Sequence, residues 1–580
     1  MTDIPRPEYP RPQMVRKDWE TLNGSWEFEI DYGKSGFERK LYEAGNFSRR
    51  ITVPFCPESK LSGIGHKDFM PAVWYRRSFV LPKDRLAGRV LLHFGAVDYK
   101  ASVYVNGRLA GTHSGGYVSF TLDISHLTAE GANTLVLCAE DDVRGGNQPR
   151  GKQSDRYESY GCLYTRTTGI WQTVWLEYVP DRYIKNYRII PDPENGRALL
   201  TVQFAGTPAS DRAGETPPVE AAVSFEGREV CRASARASGN AACLVLPVPN
   251  PALWDPGTPN LYDLDIAWGQ DRVKGYFGMR SVSLTNNTIC INGRPVYQRL
   301  VLDQGFYPDG IYTAPSDDDL RKDIELSQAA GFNGARLHQK VFEERFLYWA
   351  DKLGYIVWGE HASWGLNIDR EQAYLPFATE WREIVERDFN HPAIVGWCPF
   401  NETGKSQVDG ILRGVYDLTK QLDPTRPVID ASGYVHVSTD VLDTHDYEQD
   451  PAVFKKAYAG MTGENVHYPW DINGLFSRNI PYFVSEYGGT WWNAGEAKQQ
   501  AAGWGYGNRC KTIEEVYTRI EGLTKALLDN PRICAFCYTQ LTDVEQEQNG
   551  IYTYDRRPKF DINRVKAIFG APAAIEKSST

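Results

Sequence analysis

The first half of the chain alternates apolar and polar residues in short runs, the pattern of β-strands with one buried face. Such runs are divided by Gly, Asn and Pro and include WEFEI, VWYRRSFVLP and NTLVLCAE. In VYVNGRLAG, the Asn106-Gly107 pair predicts a two-residue hairpin turn. This pattern of short strands and turns predicts a jelly-roll β-sandwich over 1–180. Similar runs predict an immunoglobulin-like β-sandwich over 181–285.

From residue 286 onward, helical patterns alternate with short apolar strands, which is typical of parallel β/α architecture. Helices are predicted at 316–330, 342–353, 379–389, 408–422, 512–529 and 561–569. Eight strands are predicted at 296–303, 333–338, 355–360, 393–402, 426–432, 441–447, 481–489 and 533–541. Eight strands in a segment of this length predict a (β/α)8 TIM barrel over 286–580, since such barrels have typically about 250 residues. A doubly wound sheet is the alternative fold, but no glycine-rich nucleotide motif follows any strand.

Composition narrows the classes of partner. A net charge of -10 without any Lys/Arg block argues against nucleic-acid binding. No apolar run reaches the ~20 residues of a membrane span, and MTDIPRPEYPRPQ lacks the apolar core of a signal peptide. The 10 cysteines follow no paired spacing, which predicts free thiols and a cytoplasmic protein. The 16 Trp and 33 Tyr suit sugar binding, although sandwich cores are also rich in aromatic residues.

Polar residues cluster where the predicted barrel strands end, which is where barrel enzymes carry their active sites. They are Asp303, Arg336, His338, Glu360, His361, Asn401, Glu402, His445, Tyr447, Glu486 and Tyr538, with Trp364, Trp491 and Trp492 nearby. Such a ring is typical of polyol recognition combined with carboxylate catalysis. Strands four and seven lie across the barrel mouth from each other. We therefore expect Glu402 and Glu486 to face one another over a bound sugar.

Two facing carboxylates can hydrolyse a glycosidic bond, one as proton donor and the other as nucleophile. The donor then needs a raised pKa and the nucleophile a low one. The alternative for Glu402 is a charge that merely opens the next helix.

The other candidates have alternatives of their own. The histidines either form hydrogen bonds to sugar hydroxyls or bind zinc. No H-E-x-x-H motif or close His spacing supports zinc. Asp303 and Glu360 could either bind sugar hydroxyls or take part in catalysis. Trp491 could either pack within its loop or stack on a sugar. The absence of G-x-S-x-G argues against a serine hydrolase. We expect no metal and no organic cofactor.

Two short motifs and several longer stretches carry a family resemblance. The motifs are FNE at 400–402 and VSEYGG at 484–489, and the stretches include RPQMVRKDWETLNGSWEFEID, TTGIWQTVWLE and ICINGRPVYQRLVLDQG. Together they resemble glycoside hydrolase family 2, the family of β-galactosidases, β-glucuronidases and β-mannosidases. The resemblance implies Glu402 as acid/base, Glu486 as nucleophile and Asn401 as partner of the sugar 2-hydroxyl. It also implies that Tyr447 contacts the nucleophile and that His445 lies at a substrate contact.

Departures from the family pattern bear on the sugar. β-Glucuronidases carry an Asn-x-Lys whose Lys grips the sugar carboxylate, whereas the corresponding stretch here, EQEQNGIYTYDRR, has Glu547. YGCLYTRTTGIW likewise has Tyr164 and Arg166 where many members place an Asp. Because a carboxylate would repel a uronate, we expect a retaining exo-glycosidase for a neutral sugar, first a β-galactoside.

Several alternatives stay open at this point. They are an arabinosidase, a galactofuranosidase and a catalytically inactive carbohydrate-binding relative. The expected partners are the carbohydrate substrate and further copies of the chain in a homo-oligomer, without nucleic acid or membrane.

Overall fold

The computed structural model describes residues 4–43, 47–206, 217–285, 287–461, 466–468, 480–493 and 503–577. Two β-sandwiches precede a curled sheet of parallel strands that is surrounded by helices. The predicted fold class is therefore confirmed.

The first sandwich consists of two antiparallel sheets. Alternate residues point inward from both sheets, so that Trp26 and Phe28 of one share a core with Leu92 and Phe94 of the other. The six-stranded sheet has, in spatial order, Arg49–Val53, Gly24–Ile30, Ala72–Leu81, Gly131–Glu140, Lys100–Val105 and Arg108–Ser114. The four-stranded sheet has Trp19–Thr21, Val174–Val179, Arg89–Phe94 and Phe120–Asp123, and a short pair joins Val97–Asp98 to Gly169–Ile170.

The second sandwich is smaller and follows directly. Its core joins Leu200 and Val202 of one sheet to Leu264 and Ile266 of the other. One sheet has Arg182–Asp192, Arg197–Gly206 and Ala241–Pro247; the other has Arg228–Ala235, Val219–Phe225, Tyr262–Trp268 and Asp271–Phe277. Short strands at Trp254–Asp255, Thr258–Pro259, Val282–Thr285, Thr288–Ile291 and Arg294–Pro295 lead to the barrel.

The barrel strands lie where the apolar runs predict them. They are β1 (Gln298–Asp303), β2 (Gly334–Leu337), β3 (Ile356–Glu360), β4 (Ile394–Cys398, continued by Phe400–Asn401), β5 (Ala431–Ser432), β6 (Leu442–Asp446), β7 (Tyr482–Gly488) and β8 (Ile533–Thr539). Seven strands form one parallel sheet in the order β4-β3-β2-β1-β8-β7-β6, and β5 pairs in parallel with the continuation of β4. A hydrogen bond of 2.8 Å from Ser432 Oγ to Asp443 Oδ2 joins β5 to β6.

The barrel helices are α1 (Asp317–Ala329), α2 (Glu344–Leu353), α3 (Tyr374–Asp388), α4 (Asp409–Leu422), α5 (Pro451–Tyr458), α6 (Ile513–Leu528), α7 (Ile562–Phe569) and the short α8 (Ala574–Lys577). Ser316 caps α1 by accepting a hydrogen bond from the Asp319 amide, the arrangement that a Ser-x-x-Asp spacing at a helix start favours. The stretch between β5 and β6, residues 433–441, contains no helix. Three short 3₁₀ turns (Lys83–Leu86, Ser125–Leu127 and Glu371–Ala373) complete the helical elements of the described residues.

A long loop of the first sandwich reaches the mouth of the barrel. The amide of Arg150 donates to the carbonyl of Trp364 at 2.7 Å, and Gln546 Nε2 donates to the carbonyl of Gly161 at 2.7 Å. Gly151 has φ 58°, and a Cβ there would lie 2.2 Å from the carbonyl oxygen of Gln339. Only glycine therefore permits this close approach of loop and barrel.

Two further observations concern the chain as a whole. Among the residues that the structure describes, no helix is long and apolar enough to cross a membrane. All ten cysteines have free thiols, eight of them buried, whereas Cys162 is half-buried and Cys243 exposed. The cytoplasmic location and the homo-oligomer stay predictions.

Candidate active site

Glu402 directly follows the continuation of β4 and has an unusual backbone conformation. Its φ of 50° lies in the left-handed region, which costs a non-glycine residue on the order of 1–3 kcal/mol. The amide of Glu402 donates to the carbonyl of Ser432 at 2.8 Å, which helps to hold this conformation. The side chain keeps 16% of its surface exposed, so the carboxylate reaches the barrel mouth. Strain held in this way is typical of functional positions.

Glu486 lies on β7 and is only 5% exposed. Arg336 on β2 donates from Nη1 to Glu486 Oε1 at 3.1 Å, and the Tyr447 hydroxyl donates to Oε2. Arg336 also donates to Glu360 Oε1 at 2.5 Å and to Asn401 Oδ1 at 2.9 Å. One oxygen of Glu486 thus accepts from a guanidinium and the other from a hydroxyl, and these two hydrogen bonds fix the orientation of the carboxylate.

The two carboxylates are close together. One oxygen of Glu402, one oxygen of Glu486 and a ring nitrogen of His445 all lie within 4.8 Å of one another. Retaining glycosidases separate their carboxyl groups by about 5–5.5 Å, and inverting ones by about 6.5–9.5 Å. The spacing therefore fits a double displacement.

His445 lies between the two carboxylates, because its register on β6 pairs it with Glu486 on β7. Its Nδ1 is 2.8 Å from Glu402 Oε1 and 3.4 Å from Glu486 Oε2, while Nε2 is 3.0 Å from Ser432 Oγ. Ser432 gives its own proton to Asp443, so Nε2 donates to it. Burial opposes charge on the ring, but the carboxylates of Glu486 and Glu402 raise the pKa of His445 above its usual value. These carboxylates therefore favour protonation of the ring, and a protonated ring donates from both nitrogens.

The environment of Glu402 corrects one expectation from sequence. A proton donor was expected to have a raised pKa, yet the pKa of Glu402 is lowered. Burial works toward a higher pKa, but the His445 cation, the Lys152 ammonium and the Tyr434 hydroxyl outweigh it. These surroundings favour the proton of the pair on His445 rather than on Glu402, so Glu402 must receive a proton before it acts as an acid.

The three atoms of the Glu402–His445–Glu486 cluster also have the spacing of a metal site. Each of these side chains, however, is already engaged with the others or with Arg336 and Tyr447 through hydrogen bonds. A divalent ion would compete with the proton on Nδ1 of His445. The donor set fits proton transfer better than metal binding.

Three buried polar atoms beside the pair form no hydrogen bond to the described residues, although two of them, on His338 and Glu360, lie 3.5 Å apart. They are Asn401 Nδ2, His338 Nδ1 and Glu360 Oε2. Burial and the nearby Lys152 ammonium lower the pKa of His338 well below its usual value, so its ring is neutral. Buried donors and acceptors are normally satisfied, so these atoms suit the hydroxyls of a bound polyol.

Glu547 lies in the loop after β8, where it meets the loop of the first sandwich. Its Oε2 accepts from the Tyr164 hydroxyl at 2.6 Å, and its Oε1 accepts from Asn549 Nδ2 at 3.0 Å. Burial raises the pKa of Glu547, while the Lys152 ammonium lowers it in part. Arg166, by contrast, binds backbone carbonyls such as that of Ser154 and has a structural role.

Two other predicted site residues have described contacts away from the pair. Asp303 accepts from the Gly305 amide at 2.9 Å and interacts with the charges of Asp323 and Arg556. Tyr538 packs in the core against Phe569, at 4.9 Å between ring centroids. Their contact with a substrate stays a prediction.

Trp491 lies in the loop after β7 and is half-buried. Its carbonyl accepts from the Cys510 amide, and its indole Nε1 has no partner among the described residues. Its role as a stacking platform stays a prediction. His361, in turn, packs against Phe377 at 4.7 Å in the interior.

The residues of this site that were not among the candidates from sequence include Lys152 and Tyr506. Lys152 comes from the first sandwich and lies with its Nζ 4.2 Å from the centre of the Trp364 ring. Tyr506 stacks on Tyr447 with ring centroids 3.5 Å apart. Neither lies at the end of a barrel strand, and the spacing of barrel strands is the signal that identified the other residues.

The chain matches three family descriptions along its length. Residues 282–571 match "Glycosyl hydrolases family 2, TIM barrel domain", 182–280 match "Glycosyl hydrolases family 2", and 19–144 match "Glycosyl hydrolases family 2, sugar binding domain". The three matches follow the order of the two sandwiches and the barrel.

Individual relatives are more distant. A curated relative from Formosa agariphila is 26% identical over 74% of this chain, which spans 53% of that relative's length. A β-glucuronidase of Felis catus is 27% identical over 72% of this chain and 69% of its own.

Solved structures cover nearly the whole chain. A β-glucuronidase from an uncultured Clostridium sp. has a TM-score of 0.78 at 21% identity, covering 96% of this chain and 99% of that one. A β-glucuronidase of Ruminococcus gnavus has a TM-score of 0.79 at 18% identity, covering 98% and 99%. At these identities the likeness shows the fold.

Proposed function

The chain belongs to glycoside hydrolase family 2, and we propose that it is a retaining exo-glycosidase for a terminal neutral sugar. Membership makes the chain a glycosidase that hydrolyses O-glycosyl bonds. One observation carries the retaining mechanism, which is the approach of Glu402 and Glu486 to within 4.8 Å in different electrostatic surroundings.

The first step forms a covalent intermediate. A Glu486 oxygen attacks the anomeric carbon, and the bond from that carbon to the leaving oxygen breaks as Glu402 gives this oxygen its proton. Glu402 obtains that proton from the pair it forms with His445 at 2.8 Å. The hydrogen bonds from Arg336 and Tyr447 hold Glu486 in its orientation before the attack.

The second step releases the sugar. The Glu402 carboxylate takes a proton from water, and the water oxygen attacks the anomeric carbon as the bond to Glu486 breaks. Two inversions give a product with the configuration of the substrate. Asn401 Nδ2 is free to donate to the sugar 2-hydroxyl in both transition states.

The preference for a neutral sugar rests on Glu547. Its buried carboxylate lies in the stretch where β-glucuronidases carry a lysine, and a sugar carboxylate there would meet like charge. The relatives reported above are named as β-glucuronidases. A β-glucuronide is therefore the main alternative substrate that an experiment on this chain has to exclude. A β-galactoside is the first neutral candidate, with arabinosides and galactofuranosides next.

A panel of nitrophenyl glycosides tests this proposal. It should contain β-galactopyranoside, both arabinoside ring forms, β-galactofuranoside and β-glucuronide. We expect turnover of a neutral member with kcat/KM at least about 100-fold above that of the glucuronide, since like-charge contacts cost several kcal/mol. Preference for the glucuronide would contradict the neutral sugar, and no turnover at all would favour an inactive carbohydrate-binding relative.

A further inference from the structure

Lys152 is a buried lysine at the barrel mouth that belongs to the first sandwich. The residue is 6% exposed, and its Nζ lies 4.2 Å from the centre of the Trp364 ring. Among the residues that the structure describes, no side chain forms a hydrogen bond or ion pair with this ammonium. The ammonium has three protons to donate, and its contact with the face of Trp364 gives none of them a hydrogen-bond acceptor, which suits the hydroxyls of a ligand.

The surroundings of Lys152 are acidic. Burial opposes its charge, but Cys162, Glu547, Glu402 and Glu486 together raise its pKa. The ammonium is therefore charged, and its neighbours include Glu547 and both catalytic carboxylates. The ammonium lies on Trp364, whose indole also contacts the backbone of Asn401, so it lies on the Glu402 side of the site.

The backbone around Lys152 is fixed to the barrel. The amides of Arg150 and Gly151 both donate to the carbonyl of Trp364, at 2.7 and 3.1 Å. The indole of Trp364 donates to the carbonyl of Asn401 at 3.1 Å. Lys152 is thus held through Trp364 against the residue next to Glu402, and the site is incomplete without the first sandwich.

We propose that Lys152 is a specificity-determining residue that donates hydrogen bonds to hydroxyls of the terminal sugar, with Glu547 as the acceptor on the same sugar. This inference rests on the proposed function. One cation and one anion leave this part of the site without net charge, which suits a neutral polyol. The Tyr164 hydroxyl and Asn549 hold Glu547 in place and leave each of its oxygens a further lone pair for a sugar hydroxyl.

Replacing the ammonium tests the first half of the proposal. Lys152→Met keeps an unbranched side chain of similar length on Trp364 but removes the charge and all three donors. With the neutral glycoside that the wild type turns over, we expect KM to rise about 10- to 100-fold, because hydrogen bonds from charged groups are the strong ones. We expect kcat to change less than KM. Lys83→Met, an exposed lysine of the same sandwich, is the matched control and should leave both unchanged.

Replacing the anion tests the second half and leaves Lys152 in place. Glu547→Gln removes a negative charge beside the ammonium, so inhibition by the uronic acid that matches the sugar should strengthen about tenfold relative to the neutral sugar. This arm keeps the proposal falsifiable even if Lys152→Met does not fold.

The outcomes separate the two proposals. Suppose that the wild type is active. If Lys152→Met leaves KM unchanged, or if Glu547→Gln leaves inhibition by the uronic acid unchanged, the role proposed for Lys152 is wrong, but the proposed glycosidase activity is not. A wild type that turns over only the glucuronide overturns the neutral sugar. In that case the hydroxyl-binding role of Lys152 is also wrong. A rise of KM in Lys152→Met would then indicate that the ammonium binds the carboxylate of the uronate.

Discussion

Removal of the Tyr447 hydroxyl isolates one contact of the proposed nucleophile. Tyr447→Phe deletes the hydrogen bond to Glu486 Oε2 and a second one of 3.0 Å to Thr539 Oγ1. The ring stays stacked on Tyr506, with centroids 3.5 Å apart, so the site keeps its shape. The variant therefore reports on the hydroxyl alone.

The size of the effect follows from the type of bond. A hydrogen bond to a charged group contributes about 1.5–3 kcal/mol, which converts to a loss in kcat/KM of about 10- to 150-fold. The assay is steady-state hydrolysis of the best nitrophenyl glycoside. We expect the loss to appear in kcat, because the hydroxyl contacts the nucleophile rather than a remote part of the sugar.

The matched control lies one residue from the nucleophile. Tyr487 is the next residue on β7, but its hydroxyl meets Thr524 Oγ1 at 2.9 Å on the outer side of the strand. Tyr487→Phe should leave kcat/KM within about twofold, since this bond touches no site residue. A loss below threefold in Tyr447→Phe, or equal losses in both variants, would refute the reasoning.

Three further predictions concern the proton donor and its supports. Glu402→Ala should slow glycosides with poor leaving groups by about 10²–10⁴-fold and activated aryl glycosides far less; equal losses would contradict its role as an acid. His445→Gln should move the alkaline limb of the kcat/KM profile to lower pH. The raised pKa of His445 keeps one proton on the pair, whereas Glu402 alone loses its proton earlier; an unmoved limb would contradict this. Although burial opposes it, Asp430 and Asp443 raise the pKa of His436 to about 10. The stabilisation from this charge is complete below the unfolded pKa of about 6.5 and is lost as pH rises through 10. His436→Gln should therefore lower the thermal inactivation midpoint by on the order of 10 °C at pH 6 and by less above pH 10; an equal drop at both pH values would contradict the ion pairs.

The barrel could be predicted from sequence because its strands are buried on both faces. Burial on both faces gives near-continuous apolar runs such as Ile533–Thr539, and a helix separates most of them. The polar residues at the strand ends followed from this placement alone, including Glu402 and Glu486. The helix Pro451–Tyr458 was missed, although Asp450 caps it and Pro451 stands in its first turn, both of which are sequence signals of a helix start.

The contribution of the first sandwich could not be predicted in the same way. Lys152 lies in RGKQSD, which carries no strand or helix pattern, and its approach to Trp364 depends on the docking of two domains. Gly151 is the one local sign of a close approach, and its meaning emerges only beside Gln339. The lowered pKa of Glu402 was missed for the same reason. It depends on His445 and Lys152, which are far from Glu402 along the chain.

The most direct test of the central claim is azide rescue of Glu486→Ala. The variant lacks the nucleophile and should lose turnover. Azide should restore it by attacking the anomeric carbon from the vacated side, giving a glycosyl azide of inverted configuration by NMR. In Glu402→Ala, azide should instead give a product of retained configuration, because Glu486 still forms the intermediate. Unchanged activity in Glu486→Ala, or a rescued product of retained configuration, would contradict Glu486 as the nucleophile.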